Sequence, residues 1–316
     1  MGDGHDERRQ RRIAFALLVL TFLIWSNSFI AARALVGDGV PAAERLDPLR
    51  FVEARFAPVA LFCLAWFAVS PSGRRTARQL VTRHPLRTAV LASVNVWGYN
   101  LAFGAGHHRV AAGSASLIIA LNPVLTYLLV LAICQERPAW VKNAGLLMAF
   151  TGIYVVVVYG AGQAVEAAYL TDALILIGAP VSWTLYTVLS KPLLEGRSPL
   201  ELTLFFLGLG SLPALAAALG DRGLHARLAT WEAERYGAAL FLALACSLLA
   251  FWLWFEALKR LPASTAAAFV FLNPPLTLFF EWLWFGRAPN AGLIAGGAIV
   301  LAGVWLCSRP TSPRGA

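Results

Sequence analysis

The chain is 316 residues long, 59% hydrophobic and 14% charged, with a formal net charge of +9 and a mean hydropathy of +0.66. Ordinary soluble domains carry roughly 25% charged residues, and a soluble core has no place for 19 Phe and 11 Trp without exposing apolar patches. The positive balance does not indicate nucleic acid, because Lys and Arg sit mostly in short stretches between apolar runs.

Ten apolar segments follow one another, at roughly 13–34, 51–69, 88–106, 111–133, 141–160, 170–190, 202–219, 238–258, 263–285 and 291–307. Each is about long enough to cross some 30 Å of hydrocarbon as a helix. Their continuous rather than alternating hydrophobicity favours helices over a membrane barrel. Segment 1 follows Arg8, Arg9, Arg11 and Arg12 and ends near Ala32-Arg33-Ala34, the outline of a signal peptide. Its length and the central Trp25-Ser26-Asn27 stretch favour a retained first helix. Segment 2 opens on Pro48-Leu49-Arg50-Phe51 and carries Glu53 and Arg55 in its first turns. Arg55 is expected to snorkel toward the interface. Segment 3 holds a polar aromatic cluster, Asn95, Trp97, Tyr99 and Asn100.

Segment 4 introduces the main feature of the chain. Ala112 to Gly152 opens A-G-S-A-S-L-I-I-A-L-N-P-V-L-T and continues through Pro138, Gly145 and Gly152. Ala263 to Gly303 opens A-S-T-A-A-A-F-V-F-L-N-P-P-L-T and continues through Pro289, Gly296 and Gly303, each landmark 151 positions after its partner. Asn122-Pro123 therefore matches Asn273-Pro274, and Thr126 matches Thr277. Earlier matches extend the duplication: Pro48-Leu49 with Pro199-Leu200 at the same offset, and Trp25 with Trp183 and Arg33 with Lys191 at an offset of 158. Five spans per copy means that the second copy enters the membrane from the opposite side. The expected fold is an all-α membrane protein with ten transmembrane helices in two inverted five-helix repeats. A basic cytoplasmic stretch, 1–12, precedes a first repeat at 13–160 and a second at 168–308.

Pro123, Pro274 and Pro275 are expected helix breaks, since proline lacks the amide hydrogen and clashes with the preceding turn. Freed carbonyls in a membrane helix bond to neighbours or line a polar path. The expected solute cavity is framed by Trp25 and Asn27 of segment 1, Asn95 and Tyr99 of segment 3, Asn122 of segment 4, Trp183 and Tyr186 of segment 6, and Asn273 of segment 9. Aromatic rings with polar tips suit an amphipathic or cationic solute. The Asn side chains also suit helix-to-helix glue, and Trp252 and Trp254 fit either a cavity or an interfacial belt. Gly145 with Gly152, and Gly296 with Gly303, are seven apart on one helix face and read as close-packing sites. Glu281 is the first candidate for proton coupling and Glu256 the second; Glu256 also suits a pair with Lys259 or Arg260.

These features resemble a known family. Trp25-Ser26-Asn27, Pro48-Leu49-Arg50-Phe51, Ala257-Leu258-Lys259-Arg260-Leu261-Pro262-Ala263, the twin Asn-Pro pairs and Gln135-Glu136-Arg137 are similar to those of drug/metabolite transporters with two EamA-like repeats, over nearly all of Ile13 to Cys307. The resemblance implies a ten-helix transporter, with efflux as the favoured direction, in a bacterial inner membrane. Members often carry Gly-Glu after helices 4 and 9; here Gln135-Glu136 and Gly286-Arg287 stand there, and Pro275 replaces the Val124 of the first copy.

No phosphate-cradling loop supports direct ATP drive, no catalytic triad or metal spacing is evident, and Cys63, Cys134, Cys246 and Cys307 lie far apart in or at the end of apolar runs. The expectation is a secondary transporter of a small organic solute such as an amino acid or related metabolite, working by alternating access without a cofactor. Its expected partners are that solute, protons and membrane lipids, not nucleic acid; the sequence leaves the oligomeric state open. The competing expectation is a non-transporting membrane scaffold or a membrane-embedded enzyme. Seventeen Lys and Arg residues fall in the stretches on the side of the termini and seven on the other, which makes both termini cytoplasmic. A cysteine introduced between Asp221 and Glu232 should therefore react with an impermeant thiol reagent on intact cells; reaction only after lysis contradicts the orientation.

Overall fold

A backbone amide in hydrocarbon has no water to bond, so an apolar chain must close its hydrogen bonds within itself. The computed structural model describes residues 3–125, 128–129, 140–159, 167–261, 266 and 269–307, and its regular elements among these are all helical. Among the described residues five helices are long and apolar enough to cross a membrane: Arg8–Val36, Pro48–Val69, Ala168–Leu194, Pro199–Gly220 and Ala233–Arg260. Shorter apolar helices cover Ala112–Leu125, Asn143–Tyr159, Phe269–Phe285 and Ala291–Gly303. Large apolar side chains, including Leu61, Leu147, Leu174, Leu219 and Ile294, face outward. Such a surface is an aggregation hazard in water and a normal one in lipid. Thr126, Cys134, Gln135-Glu136-Arg137, Pro138 and Pro262-Ala263 lie outside the described residues.

We number the helices used below in chain order: α1 (Asp3–Val36), α2 (Pro48–Val69), α3 (Pro71–Arg83), α4 (Pro85–Ser93), α5 (Tyr99–Gly106), α6 (Ala112–Ile119), α7 (Trp140–Tyr159), α8 (Ala167–Leu176), α9 (Gly178–Ser190), α10 (Pro199–Gly220), α11 (Arg222–Thr230), α12 (Ala233–Leu240), α13 (Ala250–Arg260), α14 (Asn273–Phe285) and α15 (Ala291–Cys307). Segment 3 is not one regular helix: a π-helical turn, Val94–Gly98, joins α4 to α5. Segment 8 is interrupted in the same way by Phe241–Leu249, between α12 and α13. Wider turns of this kind carry an extra residue and leave carbonyls misaligned with the regular ladder.

The basic stretch after segment 2 and the Asp221 region are helical, α3 and α11, rather than loops. Local capping explains both. Ser70 Oγ accepts from Gly73 N at 3.2 Å, and Asp221 Oδ1 accepts from Gly223 N at 2.7 Å and Leu224 N at 3.1 Å. These bonds satisfy amides that the first turn of a helix leaves without partners.

Close packing between the repeats is clearest where α7 meets α15. A Cβ on Gly152 would stand 2.5 Å from Val300 N and 2.9 Å from Gly296 O, and one on Gly303 would stand 2.7 Å from Gly145 O. The contacts are crosswise, 152 with 296 and 145 with 303, so the two helices run antiparallel. Small residues are what let membrane helices come this close.

At one end of the bundle, Arg50 ties the start of α2 to the start of α11. Its Nε donates to Asp221 Oδ2 at 2.7 Å and its Nη1 to Asp47 Oδ2 at 2.7 Å. Asp47 caps α2 through Leu49 N and Arg50 N. The bond from Arg50, with help from the Leu224 and Gly223 amides, holds the Asp221 carboxyl down to about 2, against an ordinary 3.8. A depressed carboxyl contributes stability that is complete above its unfolded value and disappears as the pH falls through its folded value. The thermal midpoint of the wild type should therefore exceed that of Asp221→Asn at pH 6, with the gap shrinking as the pH drops from about 4 toward about 2. A gap that stays constant over that range contradicts the assignment.

Candidate functional site

The two Asn-Pro steps decide where the helices stop. In the first copy α6 ends at Ile119, Ala120 and Leu121 form a turn, and a new helical stretch opens on Asn122-Pro123. In the second, a tight 3₁₀ turn, Phe269–Leu272, precedes α14, which opens on Asn273-Pro274-Pro275. Proline is harmless in the first turn of a helix, where its missing amide hydrogen would have no partner, and disruptive further in. The chain accommodates the prolines by starting a new helix at each, which leaves one Asn at each break.

The hydroxyls of segments 1 and 6 meet these amides crosswise. Ser26 Oγ lies 3.1 Å from Asn273 Oδ1 and 2.6 Å from the Phe22 carbonyl. Thr184 Oγ1 lies 3.4 Å from Asn122 Oδ1. Thr184 stands 158 positions after Ser26, the offset that also relates Trp183 to Trp25. Those two indoles touch edge to face, centroids 5.1 Å apart at 85°. Trp25 Nε1 donates to the Cys246 carbonyl in the second π turn at 3.0 Å. Phe251 and Trp254 complete the aromatic cluster, at 5.5 Å each from Trp183.

Beside this cluster is a small, partly open cavity. Trp25, Tyr99, Asn122, Trp183 and Asn273 line it. Three other expected cavity residues do not. Asn27 turns outward, accepting from Trp284 Nε1 at 3.3 Å and donating to the Leu23 carbonyl. Asn95 is buried within the first π turn. Tyr186 is fully buried behind Trp183, against Phe206 and Phe255.

Arg55 also lines the cavity, and its expected path to the interface is not the one it takes. It is 4% exposed, with Nε donating to Ser247 Oγ at 3.0 Å and Nη1 to Asn100 Oδ1 at 2.9 Å. The cue was present in the sequence, an ionisable residue inside an apolar run, which usually faces a bundle interior. The remaining aromatic lining, Phe22, Phe29, Phe103 and Phe251, was legible as helical spacing: Phe22, Trp25 and Phe29 recur at three and four, and Tyr99 and Phe103 at four.

The acidic candidates lie elsewhere. Glu256 pairs with Arg260 at 2.5 Å on the same helix. Glu281, half-buried in α14, accepts from Gly113 N at 2.9 Å, across to the first turn of α6. A Cβ on Gly113 would sit 2.8 Å from Glu281 Oε2, so glycine there gives the carboxylate its approach. A carboxylate at a helix N-terminus is favoured by its free amides and dipole. Among the described residues no group of His, Cys, Asp and Glu is arranged to hold a metal ion.

An all-helical, lipid-compatible bundle with an aromatic cavity between two broken helices is the architecture of a membrane transporter. The chain belongs to the EamA-like transporter family, which matches it twice, over residues 12–158 and 170–309. It is 32% identical over 301 residues to a probable terminal-alkyne amino-acid exporter of Streptantibioticus cattleyicolor, covering 94% of each chain. It is 27% identical over 295 residues to an uncharacterized transporter of Archaeoglobus fulgidus, covering 92% of this chain and 95% of that one. A solved crystal structure superposes with a TM-score of 0.62 at 19% identity, over 93% of this chain and 95% of the other, a likeness of fold.

The Trp25–Trp183 contact yields a measurable coupling. Replacing both with Ala should destabilise the protein by about 0.5–1.5 kcal/mol less than the two single changes together, the usual worth of an edge-to-face pair. Strict additivity contradicts a direct contact.

Proposed function

We propose that this chain is a secondary transporter that exports a small organic solute, such as an amino acid or related metabolite, by alternating access. Its ten helices form two inverted five-helix repeats in a bacterial inner membrane, with both termini cytoplasmic. The observation that carries the reading is that each repeat supplies one broken helix, and the two Asn residues at the breaks line one cavity. Paired broken helices at a repeat interface are what many secondary transporters use to bind solute. The crosswise glycine contacts of α7 and α15 support the inverted relation, because a two-fold axis makes residue i of one copy meet residue j of the other and the reverse. The amino-acid reading draws support from the relative named as an amino-acid exporter.

Glu281 is the proton-coupling group in this reading. Its carboxylate joins α14 of the second repeat to α6 of the first. Neutral, it tolerates a dry closed contact; ionised, it holds the Gly113 amide or demands water. Position 130, its repeat counterpart in sequence, is Val, so the duplication does not repeat this acid. Breaking and remaking this one contact links protonation to opening on that side.

Proteoliposomes holding the protein should exchange labelled leucine or phenylalanine and accumulate it under an imposed pH gradient. Glu281→Gln should keep exchange at equal concentrations and lose pH-driven accumulation by tenfold or more. Accumulation that persists in Glu281→Gln contradicts the coupling role; no flux of any tested solute counts against transport and favours the scaffold or enzyme reading.

A further inference from the structure

A charge inside hydrocarbon is costly and persists where it has a counter-charge or a task. Arg55 has no counter-charge: among the described residues none of the ion pairs involves it. Glu53, two positions away, lines a separate apolar recess with Leu224 and Trp231. The two groups that hold the guanidinium are neutral, and each is itself held. Asn100 Nδ2 donates to the Val96 carbonyl at 2.9 Å and the Asn95 carbonyl at 3.2 Å, using groups of the first π turn. Ser247 Oγ, in the second π turn, donates to the Leu242 carbonyl at 2.9 Å. One partner anchored on the carbonyls of the first π-helical interruption and one within the second thus fix the guanidinium plane at the cavity wall. Its Nη2 makes no hydrogen bond to a described residue, and the side chain borders the cavity with Trp25, Tyr99 and Trp183.

We propose that Arg55 is the anion anchor of this cavity, and that the solute is a small carboxylate with an apolar or aromatic body. A planar guanidinium presents its donors in a fork that matches a carboxylate, and such charge-assisted bonds are the strong ones. The solute's carboxylate supplies the counter-charge that the protein omits. The body of the solute lies against Trp25, Trp183 and Phe251, which line the same cavity. The anchor is one-sided. Position 206, the repeat counterpart of 55, is Phe, fully buried against Tyr186. One anchor in an otherwise duplicated cavity fixes a single orientation for the solute.

The inference rests on the cavity being the solute site of the transport reading, and direct binding separates the two. Purified protein in nanodiscs is titrated with L-leucine, 4-methylpentanoate and L-leucinamide, and with the matching phenylalanine series, following tryptophan fluorescence. The free acids and amino acids should saturate the signal, and the amides should not at tenfold higher concentration. Arg55→Gln, monodisperse in detergent, should weaken carboxylate binding roughly 10- to 100-fold, as expected when a charged hydrogen-bond partner is lost. Arg55→Lys, which keeps the charge without the fork, should lose less. Binding of the amino acids without the simple acids supports the anchor and adds the ammonium to what is recognised. Amides that bind as well as acids overturn the anchor on the wild type alone. So does an Arg55→Gln affinity within twofold of wild type, or a failure of every carboxylate to bind. A carboxylate that binds through Arg55 but does not cross proteoliposomes leaves the anchor standing and overturns transport; flux with undiminished affinity in Arg55→Gln does the reverse.

Discussion

Proline at the two Asn-Pro steps denies segments 4 and 9 a continuous backbone ladder, and the centre of the molecule is arranged around that interruption. The chain restarts a helix at Asn122 and at Asn273, which puts an amide at each break. Ser26 and Thr184 meet those amides from segments 1 and 6. The indoles one residue before each hydroxyl then touch across the middle, Trp25 against Trp183. Backbone that departs from a regular helix at membrane depth is tolerated where protein or a cavity covers it. Here the departures gather: both Asn-Pro breaks line one small space, and Arg55 at its wall is clamped by Asn100, just after the first π turn, and Ser247, within the second.

Duplication sets the frame, and its violations carry the chemistry. The paired features, the glycines of α7 and α15 and the Asn-Pro breaks, are what two copies of one unit need in order to pack and to open. The unpaired features are Arg55, matched in the repeat sequence by Phe206, and Glu281, matched by Val130. A symmetric frame has two equivalent ways to open. In the proposed function, one basic group in the cavity and one acidic group between α6 and α14 make those ways unequal, so that one solute and one direction are favoured.

Much of this was legible in the sequence, for physical reasons. Apolar runs of about 20 residues and a 151-residue repeat leave an all-helical membrane bundle as the consistent fold, and the family match across both halves agrees. The π turns were not legible. Inserting one residue into a helix ladder leaves hydropathy unchanged, so Val94–Gly98 and Phe241–Leu249 read as plain helix. The direction of a side chain was not legible either. Asn27, two residues from Trp25, turns away from the cavity, and Arg55 stays inside it. Both depend on packing between helices and not on local periodicity. The Glu281 contact to Gly113 spans 168 positions and leaves no periodic trace. By contrast α3 and α11 carried their signals openly, in Ser70 and Asp221 as caps, and the basic composition masked them.

The central claim is that one cavity between the Asn-Pro breaks faces the two sides of the membrane in turn. The most direct test places a single cysteine at Asn273, on a background without the native cysteines, and follows its reaction with an impermeant thiol reagent applied to one side at a time. The account predicts reaction from either side in separate experiments, slowed from both by a bound solute. Reaction from one side only, with or without solute, contradicts it.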